Sequence, residues 1–353
     1  MKLALSLGYV LGSGPANSTD DVVALVQEAE RLGYAVVWSA EAYGSDAATV
    51  LGFLAARTER IDLGAAVLQI PARTPAMTAM TAATLDLLSA GRFRLGLGVS
   101  GPQVSEGWHG VRFDKPLART REYVAVVRSA LARETVTHDG EFFTLPLPDG
   151  PGKALKLAVH PARDHLPLYL AAVGPKNVEL TGEIADGWLA IFFSPEYAGE
   201  AMAAVNRGRE RSGRVDQAFD VAATVPVSIG PDVAGCADPI RPYAALYVGG
   251  MGSRKQNFYN QLARRMGFEA EAELVQDLYL DRKHREAMAA VPLDFIDQTS
   301  LLGPTERIAE RLHAFAGAGV TTLTVATSAP DHSLRIEALR QVAQALDASG
   351  LAD

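Results

Sequence analysis

The chain has 353 residues, 48% of them apolar and 7% aromatic, enough for one large core or two modest ones. A formal charge of -8 and a pI near 5.5 argue against non-specific binding to nucleic acid, whose affinity comes largely from Lys and Arg neutralising phosphates. The single cysteine, Cys236, rules out an intrachain disulfide and fits a reducing, cytoplasmic setting.

Residues 1–11 carry a positive charge and a short apolar run, the outline of a signal peptide, but the alternation of Leu3, Leu5 and Leu7 favours a strand. No run approaches the ~20 apolar residues that a membrane helix requires. Residues 17–21 offer helix-capping side chains, and Val22, Leu25, Val26, Ala29 and Leu32 follow at helical spacing up to Gly33. Residues 35–39 read as a second strand. The unit then repeats: helix 46–58, strand 61–68, an Ala-, Met- and Thr-rich helix 75–88, strand 93–99 and a helix over about 116–133.

The rhythm breaks at 135–160, where residues 136–143 read as a small hairpin turning at Asp139-Gly140 and 147–153 as a Pro- and Gly-rich loop. It resumes with strand 168–172, helix 175–185, strand 187–193, helix 195–208 and strand 219–229. A mostly helical excursion over about 233–290 precedes helix 305–318, strand 321–326 and a last helix 333–346. About eight strands alternating with helices favour a closed (β/α)8 TIM barrel over an open doubly wound sheet. No linker divides the chain, which reads as one domain, 1–353, with insertions at about 135–160 and 233–290.

The stretch from Arg94 to Gly110 organises the rest. Leu95, Leu97 and Val99 alternate with Gly96 and Gly98, the pattern of a buried strand closely approached on its glycine side. The chain then breaks into Ser100, Gly101 and Pro102 at the strand's carboxyl end, where ligands sit in α/β proteins. Val99 to Glu106, with Gln103 among them, is expected to form one wall of a cofactor site. After the fifth strand come Val173, Gly174, Pro175, Lys176 and Asn177. Gly174 permits a tight turn, Pro175 suits a first helical position, and free amides there favour an anion beside Lys176. Alone this is the make-up of an ordinary strand-to-helix turn; its pairing with the Ser100 loop turns the balance towards a phosphate.

Gly64, Ala65 and Ala66 leave space that branched residues usually fill in a barrel, either for a flat ring or for large neighbours. Glu41, just past the second strand, faces the mouth as a candidate general acid or else caps or salt-bridges a loop. His109, His138 and His160 lack metal-ligand spacing, so no metal is expected. The chain has neither a Gly-x-Ser-x-Gly elbow nor a Walker loop.

Residues 38–42, 63–68, 91–103, 115–123, 174–178 and the run Ala185-Asp186-Gly187-Trp188 together resemble the bacterial luciferase-like superfamily. Within it they are similar to the branch of deazaflavin (coenzyme F420) dependent oxidoreductases, over nearly the whole chain. The resemblance implies a luciferase-like barrel with the deazaflavin across its mouth near Ala40, Ala66 and Val67. The cofactor's phosphate would be held by the loops at Ser100, Gly101 and at Gly174, Pro175, Lys176, Asn177, with Val99 and Val173 also among the cofactor-binding residues. In relatives a non-prolyl cis peptide makes a bulge that presses on the ring; the matching bond here is Ala66-Val67.

Two departures separate this chain from relatives. Sugar-phosphate dehydrogenases of the branch carry Asp-His where it has Ala40-Glu41, and methylene-pterin reductases carry Glu where it has Ser6. Their proton relays therefore do not carry over. Glu41 becomes the candidate catalytic acid or base, with Glu106 and Tyr9 behind it. Arg254, Lys255, Arg264 and Arg265 in the second insertion are either a grip on the cofactor's acidic tail or a solvated basic face.

The reading implied is a cytoplasmic oxidoreductase moving a hydride between F420 and a small molecule with a C=C, C=N or C-OH group. The alternatives are an FMN-dependent monooxygenase on the same barrel and a non-catalytic deazaflavin-binding protein. Neither a nucleic-acid nor a membrane partner is expected. Met77, Met80, Leu87 and Leu88 on helix 75–88 suggest a homodimer face.

Overall fold

The barrel strands are four to ten residues long and apolar on both faces, as strands covered by helices outside and packed side chains inside must be. The computed structural model describes residues 1–8 and 18–352. Its strands are β1 (Lys2–Ser6), β2 (Val36–Ser39), β3 (Asp62–Ala65), β4 (Leu68–Gln69), β5 (Phe93–Gly98), β6 (His138–Asp139), β7 (Thr144–Leu145), β8 (Leu168–Ala171), β9 (Gly187–Ile191), β10 (Asp220–Ile229), β11 (Leu301–Gly303) and β12 (Thr322–Thr327). Parallel pairing runs β12–β1–β2–β3–β5–β8–β9–β10. β10 then pairs with β12, which closes an eight-stranded parallel barrel with helices around it. This is the (β/α)8 architecture that the alternation of segments predicts.

Outward side chains such as Leu5, Val37, Leu63, Leu95, Leu97 and Val225 pack under the helices in the main core. Inside the barrel sit Ala4, Val36, Trp38, Tyr169, Leu189 and Ala222. The Trp38 and Tyr169 rings meet edge to face at 5.2 Å, a favoured aromatic geometry. At the barrel's amino end Arg94 pairs with Asp62 at 2.7 Å and Asp220 at 3.3 Å, and donates to the Tyr169 hydroxyl at 2.9 Å. The barrel is thus filled below its mouth. Ile240, Val248 and Val275 of the second insertion form a separate apolar core with Phe192, just after β9, and Phe295.

Four details differ from the sequence reading. The third strand is split into β3 and β4, because the chain bulges at Ala66 and Val67. The hairpin does not turn at Asp139-Gly140: Asp139 pairs with Thr144, leaving a loop over Gly140 to Phe143. The cause is remote, since the Glu122 carboxylate accepts hydrogen bonds from the N–H groups of Glu141, Phe142 and Phe143. The supposed loop after β5 contains a helix, Pro102–Gly107. Finally, the second insertion returns through a three-residue strand, β11, which pairs with the upper end of β10.

Candidate active site

The carboxyl ends of the strands carry small side chains: Ser6 on β1, Ala66 after β3, Gly98 on β5 and Ala171 on β8. The peptide bond between Ala66 and Val67 is cis, as the resemblance implies. Val67 leans over β5, so that a Cβ on Gly98 would stand 2.6 Å from Val67 Cγ2, and one on Gly96 would collide with the Ala65 carbonyl oxygen. The close approach expected on the glycine side of β5 therefore comes from β3 and its bulge.

Below these residues, the space opposite Gly64 is taken. A Cβ on Gly64 would lie 2.1 Å from the Trp38 indole, so the small residues there match a large neighbour and leave no slot for a second ring. The barrel interior beside Gly64 is therefore closed to a ring by Trp38.

Gln69 organises the rim. It is 2% exposed; its amide nitrogen donates to the Ala42 carbonyl at 2.8 Å, and its amide oxygen accepts from Ser100 Oγ at 2.9 Å. One side chain thus ties together the loops after β2, β4 and β5. Ser100 adopts a left-handed φ of 61°, and Gly101 then starts the Pro102–Gly107 helix with no side-chain cap. Gln103 is exposed on that helix, and Val99 is half-buried beneath it.

The second glycine turn has the same form. Gly174 starts the helix Pro175–Ile184 without a side-chain cap, and a Cβ placed on it would meet nothing within 4 Å. Pro175 has no N–H and the Asn177 N–H donates to the Gly174 carbonyl at 2.9 Å, which leaves the Lys176 N–H as the first-turn donor an anion could take. The Lys176 side chain is exposed, and that of Asn177 donates to the Ala171 carbonyl at 3.4 Å. Arg265 reaches in from the insertion and donates to the Val173 carbonyl at 3.3 Å. Arg254, by contrast, is engaged by Asp277 and Asp281, and Arg264 by Asn260, Glu269 and Glu273. Lys255 is exposed. Arg265 alone of the four touches the glycine turns.

Glu41 is a loop anchor in this geometry. Both its oxygens are engaged by the Arg73 guanidinium, one at 2.9 Å, and Oε2 also accepts from the Ala47 N–H at 3.1 Å. Its side chain is 8% exposed. Arg73 also binds Asp46. Burial by itself would lower the Arg73 pKa, but Glu41 and Asp46 outweigh it and hold the value above that of a free arginine. The Arg73 carbonyl accepts from the Tyr123 hydroxyl, whose pKa burial pushes up to about 12. Glu106 lies on the lip, accepting from the Phe113 N–H at 3.1 Å. Tyr9 falls outside the described residues, and Ala40 donates its N–H to the Gly8 carbonyl at the rim.

Sequence reasoning missed Gln69 and Arg73 as site residues. A polar Gln closing the apolar run Ala66-Val67-Leu68 at a strand's carboxyl end was the available signal for the first. Nothing local signals the second, because its partner lies 32 positions away. Among the described residues no three His, Cys, Asp or Glu side chains group to hold a metal ion, and no helix is long and apolar enough to cross a membrane.

The model of the luciferase-like monooxygenase family matches residues 1–322. A Mycobacterium tuberculosis protein provisionally named a coenzyme F420-dependent oxidoreductase is 43% identical over 346 residues, covering 96% of this chain and 99% of that one. An F420-dependent glucose-6-phosphate dehydrogenase of Beutenbergia cavernae is 30% identical over 258 residues, 69% of this chain and 74% of its own. The solved coenzyme F420 dependent tetrahydromethanopterin reductase of Methanopyrus kandleri superposes with a TM-score of 0.80, at 24% identity and 97% coverage of both chains.

Proposed function

The chain belongs to the luciferase-like monooxygenase family, and from that premise we propose that it uses coenzyme F420 to move a hydride to or from a small organic substrate carrying a C=C, C=N or C-OH group. The observation that carries the reading is the 43% identity, along 99% of its length, to a relative named for F420-dependent oxidoreduction.

The residues present fit such a group. Ala66, Gly98 and Ala171 put small side chains at the mouth, and the Lys176 N–H at the helix start after Gly174 suits a phosphate. When bound, the deazaflavin supplies the hydride chemistry; the chain supplies position and orientation. Gln69 fixes the rim against which the ring would rest, through Ala42 and Ser100. Gly101, Gln103, Val173, Gly174, Pro175, Lys176 and Asn177 would line the phosphate end. Arg265 would add a positive charge to it. Glu41, locked to Arg73, would hold the loop that carries Ala40 against this ring, a positioning role in place of the acid or base role that its place in the sequence suggests. Glu106 at the lip is the carboxylate better placed to meet solvent and substrate.

Titrating the purified protein with F420 and with FMN, each followed by its absorbance and fluorescence, tests the reading. Saturable F420 binding with weak FMN binding is expected. Tight FMN binding without F420 binding overturns the reading and favours a monooxygenase. We also propose that the protein is a homodimer through the exposed Met77, Met80, Leu87 and Leu88, and that it works in the cytoplasm.

A further inference from the structure

We propose that the Ser6 and Thr224 hydroxyls, at the bottom of the barrel mouth, hold the oxygen of an uncharged substrate, so that the small molecule of the proposed reaction is an alcohol or its ketone. The inference rests on that reading and narrows its substrate class.

The stagger of the strands sets the geometry. In an eight-stranded barrel the inward side chains of alternate strands form layers of four, usually bulky and branched. Followed around this barrel, the strand pairings bring Ser6 of β1, Ala66 just past β3, Ala171 of β8 and Thr224 of β10 to one height. Ser6, Ala171 and Thr224 point inward, because Ala4, Tyr169 and Ala222, two positions before them, lie in the barrel interior. All four residues are small and partly exposed. The layer beneath them, Trp38, Gly96, Leu189 and Thr324, is buried. Solvent therefore reaches the Ser6 layer from the mouth and goes no deeper.

This layer has two unlike sides. Ala66 and Ala171 give it methyl groups, while Ser6 and Thr224, neighbours across β12, give it hydroxyls. Among the described residues neither hydroxyl has a hydrogen-bond partner, and neither is sealed from solvent as Thr324 Oγ1 beneath them is. The four residues carry no charge. A hydroxyl both donates and accepts, so it can donate to a ketone oxygen and, turned, accept from an alcohol O–H. The same pair thus serves the substrate in either oxidation state, whereas a lysine could only donate and an ionised carboxylate only accept. An anionic substrate would find no counter-charge in the layer. In the proposed reaction the alcohol loses a hydride from its carbinol carbon to F420 and its hydroxyl proton to water; reduction of the ketone takes one of each back.

The probes are cyclohexanone and acetophenone, their alcohols, their methylene analogues with C=CH2 in place of C=O, and cyclohexanecarboxylate and benzoate. Each is titrated calorimetrically into the protein with and without F420. At least one ketone should bind saturably together with its alcohol, and the matching carboxylate should bind about tenfold or more weaker. S6A and T224V should each shift the preference for ketone over methylene analogue by about threefold or more towards the hydrocarbon, the worth of one hydrogen bond. F420 itself should bind both variants within about twofold of the parent. A carboxylate that binds as tightly as its ketone overturns the proposal, even if neither variant folds. So does an unchanged preference in folded S6A and T224V, or the absence of binding by every ketone and alcohol. If the variants lose F420 affinity and keep the ketone preference, the hydroxyls belong to the cofactor and the assignment falls. A parent that binds no F420 defeats the cofactor reading instead, while the titrations into cofactor-free protein still decide the oxygen site.

Discussion

Ser100 Oγ stands 2.9 Å from Gln69 Oε1, and this hydrogen bond joins the carboxyl ends of β5 and β4. With the bond from Gln69 to the Ala42 carbonyl, one buried amide sets the relative height of three rim loops. Q69A removes both bonds and leaves their partners unsatisfied, which costs roughly 1–3 kcal/mol. The melting temperature should fall by about 1–4 °C. F420 affinity should fall by about tenfold, because the Ser100 turn loses its tether. A Q69A protein that melts lower yet binds F420 as the parent does would remove the rim from the cofactor site.

The two glycines at Gly64 and Gly174 should respond oppositely to alanine. A methyl on Gly64 must displace the Trp38 indole, which is 1% exposed and already packed on Tyr169. G64A should destabilise by about 3 kcal/mol, at the upper end for overpacking. The added W38L change should recover part of that loss, a coupling that a double-mutant cycle reads directly. G174A, at φ -77° and facing open space, should melt within about 0.5 kcal/mol of the parent. Equal losses at the two positions would contradict the packing described for the barrel interior.

Much of the barrel is legible because period and length carry it. Pro75–Leu88 begins at its proline and ends before the Ala90-Gly91 turn, as read. What escapes is set by remote partners. The hairpin loop follows Glu122, which no feature of residues 136–143 betrays. β11 is three residues long, too short for any period to register. At the site, the glycine turns were visible as composition. The room opposite Gly64 looked the same whether a cofactor or Trp38 filled it, and only the packing decides. Glu41 was likewise visible as a carboxylate at a strand's end, while its engagement by Arg73 was not.

Glu41 and Arg73 make a test of position against chemistry. With side chains 8% and 14% exposed, breaking their pair should cost about 3 kcal/mol. E41Q keeps the shape and loses the charge. If Glu41 holds the loop after β2, E41Q should raise KM and lower kcat modestly, leaving both limbs of the pH-rate profile in place. A proton carrier would instead lose roughly 100- to 10,000-fold in kcat together with one limb. That second outcome would return Glu41 to the role of acid or base.

Glu28 should give the fold a pH-dependent seam. Its carboxylate takes two bonds from Arg31, both 2.7 Å, and one from Arg340 at 2.7 Å, joining the helix Thr19–Arg31 to the helix His332–Ser349. The hydrogen bond from Arg31 leads the causes that lower its pKa from 4.5 to about 2, against the cost of burial. A depressed carboxylate pKa means that the folded state binds fewer protons than the unfolded chain. The stabilisation is therefore present above about pH 4.5 and is lost as the pH falls towards 2. Arg31 is 63% exposed, so the contribution is about 1 kcal/mol at most. E28Q should melt slightly lower than the parent at pH 7, with the gap closing below pH 4.5. A gap that persists at pH 2 would assign the effect to packing and not to charge.

The helix Pro75–Leu88 leaves Met77, Met80, Leu87 and Leu88 between 47% and 61% exposed, and the neighbouring helix Ala47–Ala55 adds Phe53 at 39%. The same helix buries Ala79, Ala82 and Leu85 against the barrel, so its apolar stripe is wider than its own core contact requires. Large apolar side chains gathered on one face of a charged protein mark a contact with another surface. The proposed homodimer would join two copies of this face about a two-fold axis, and about 800 Å² from each would make a stable pair. Sedimentation equilibrium should therefore give twice the chain mass at micromolar concentration. The double change M80E/L88E should give single chains with little loss of thermal stability beyond that of the interface itself. A parent protein that sediments as one chain at that concentration leaves this face without the partner assigned to it.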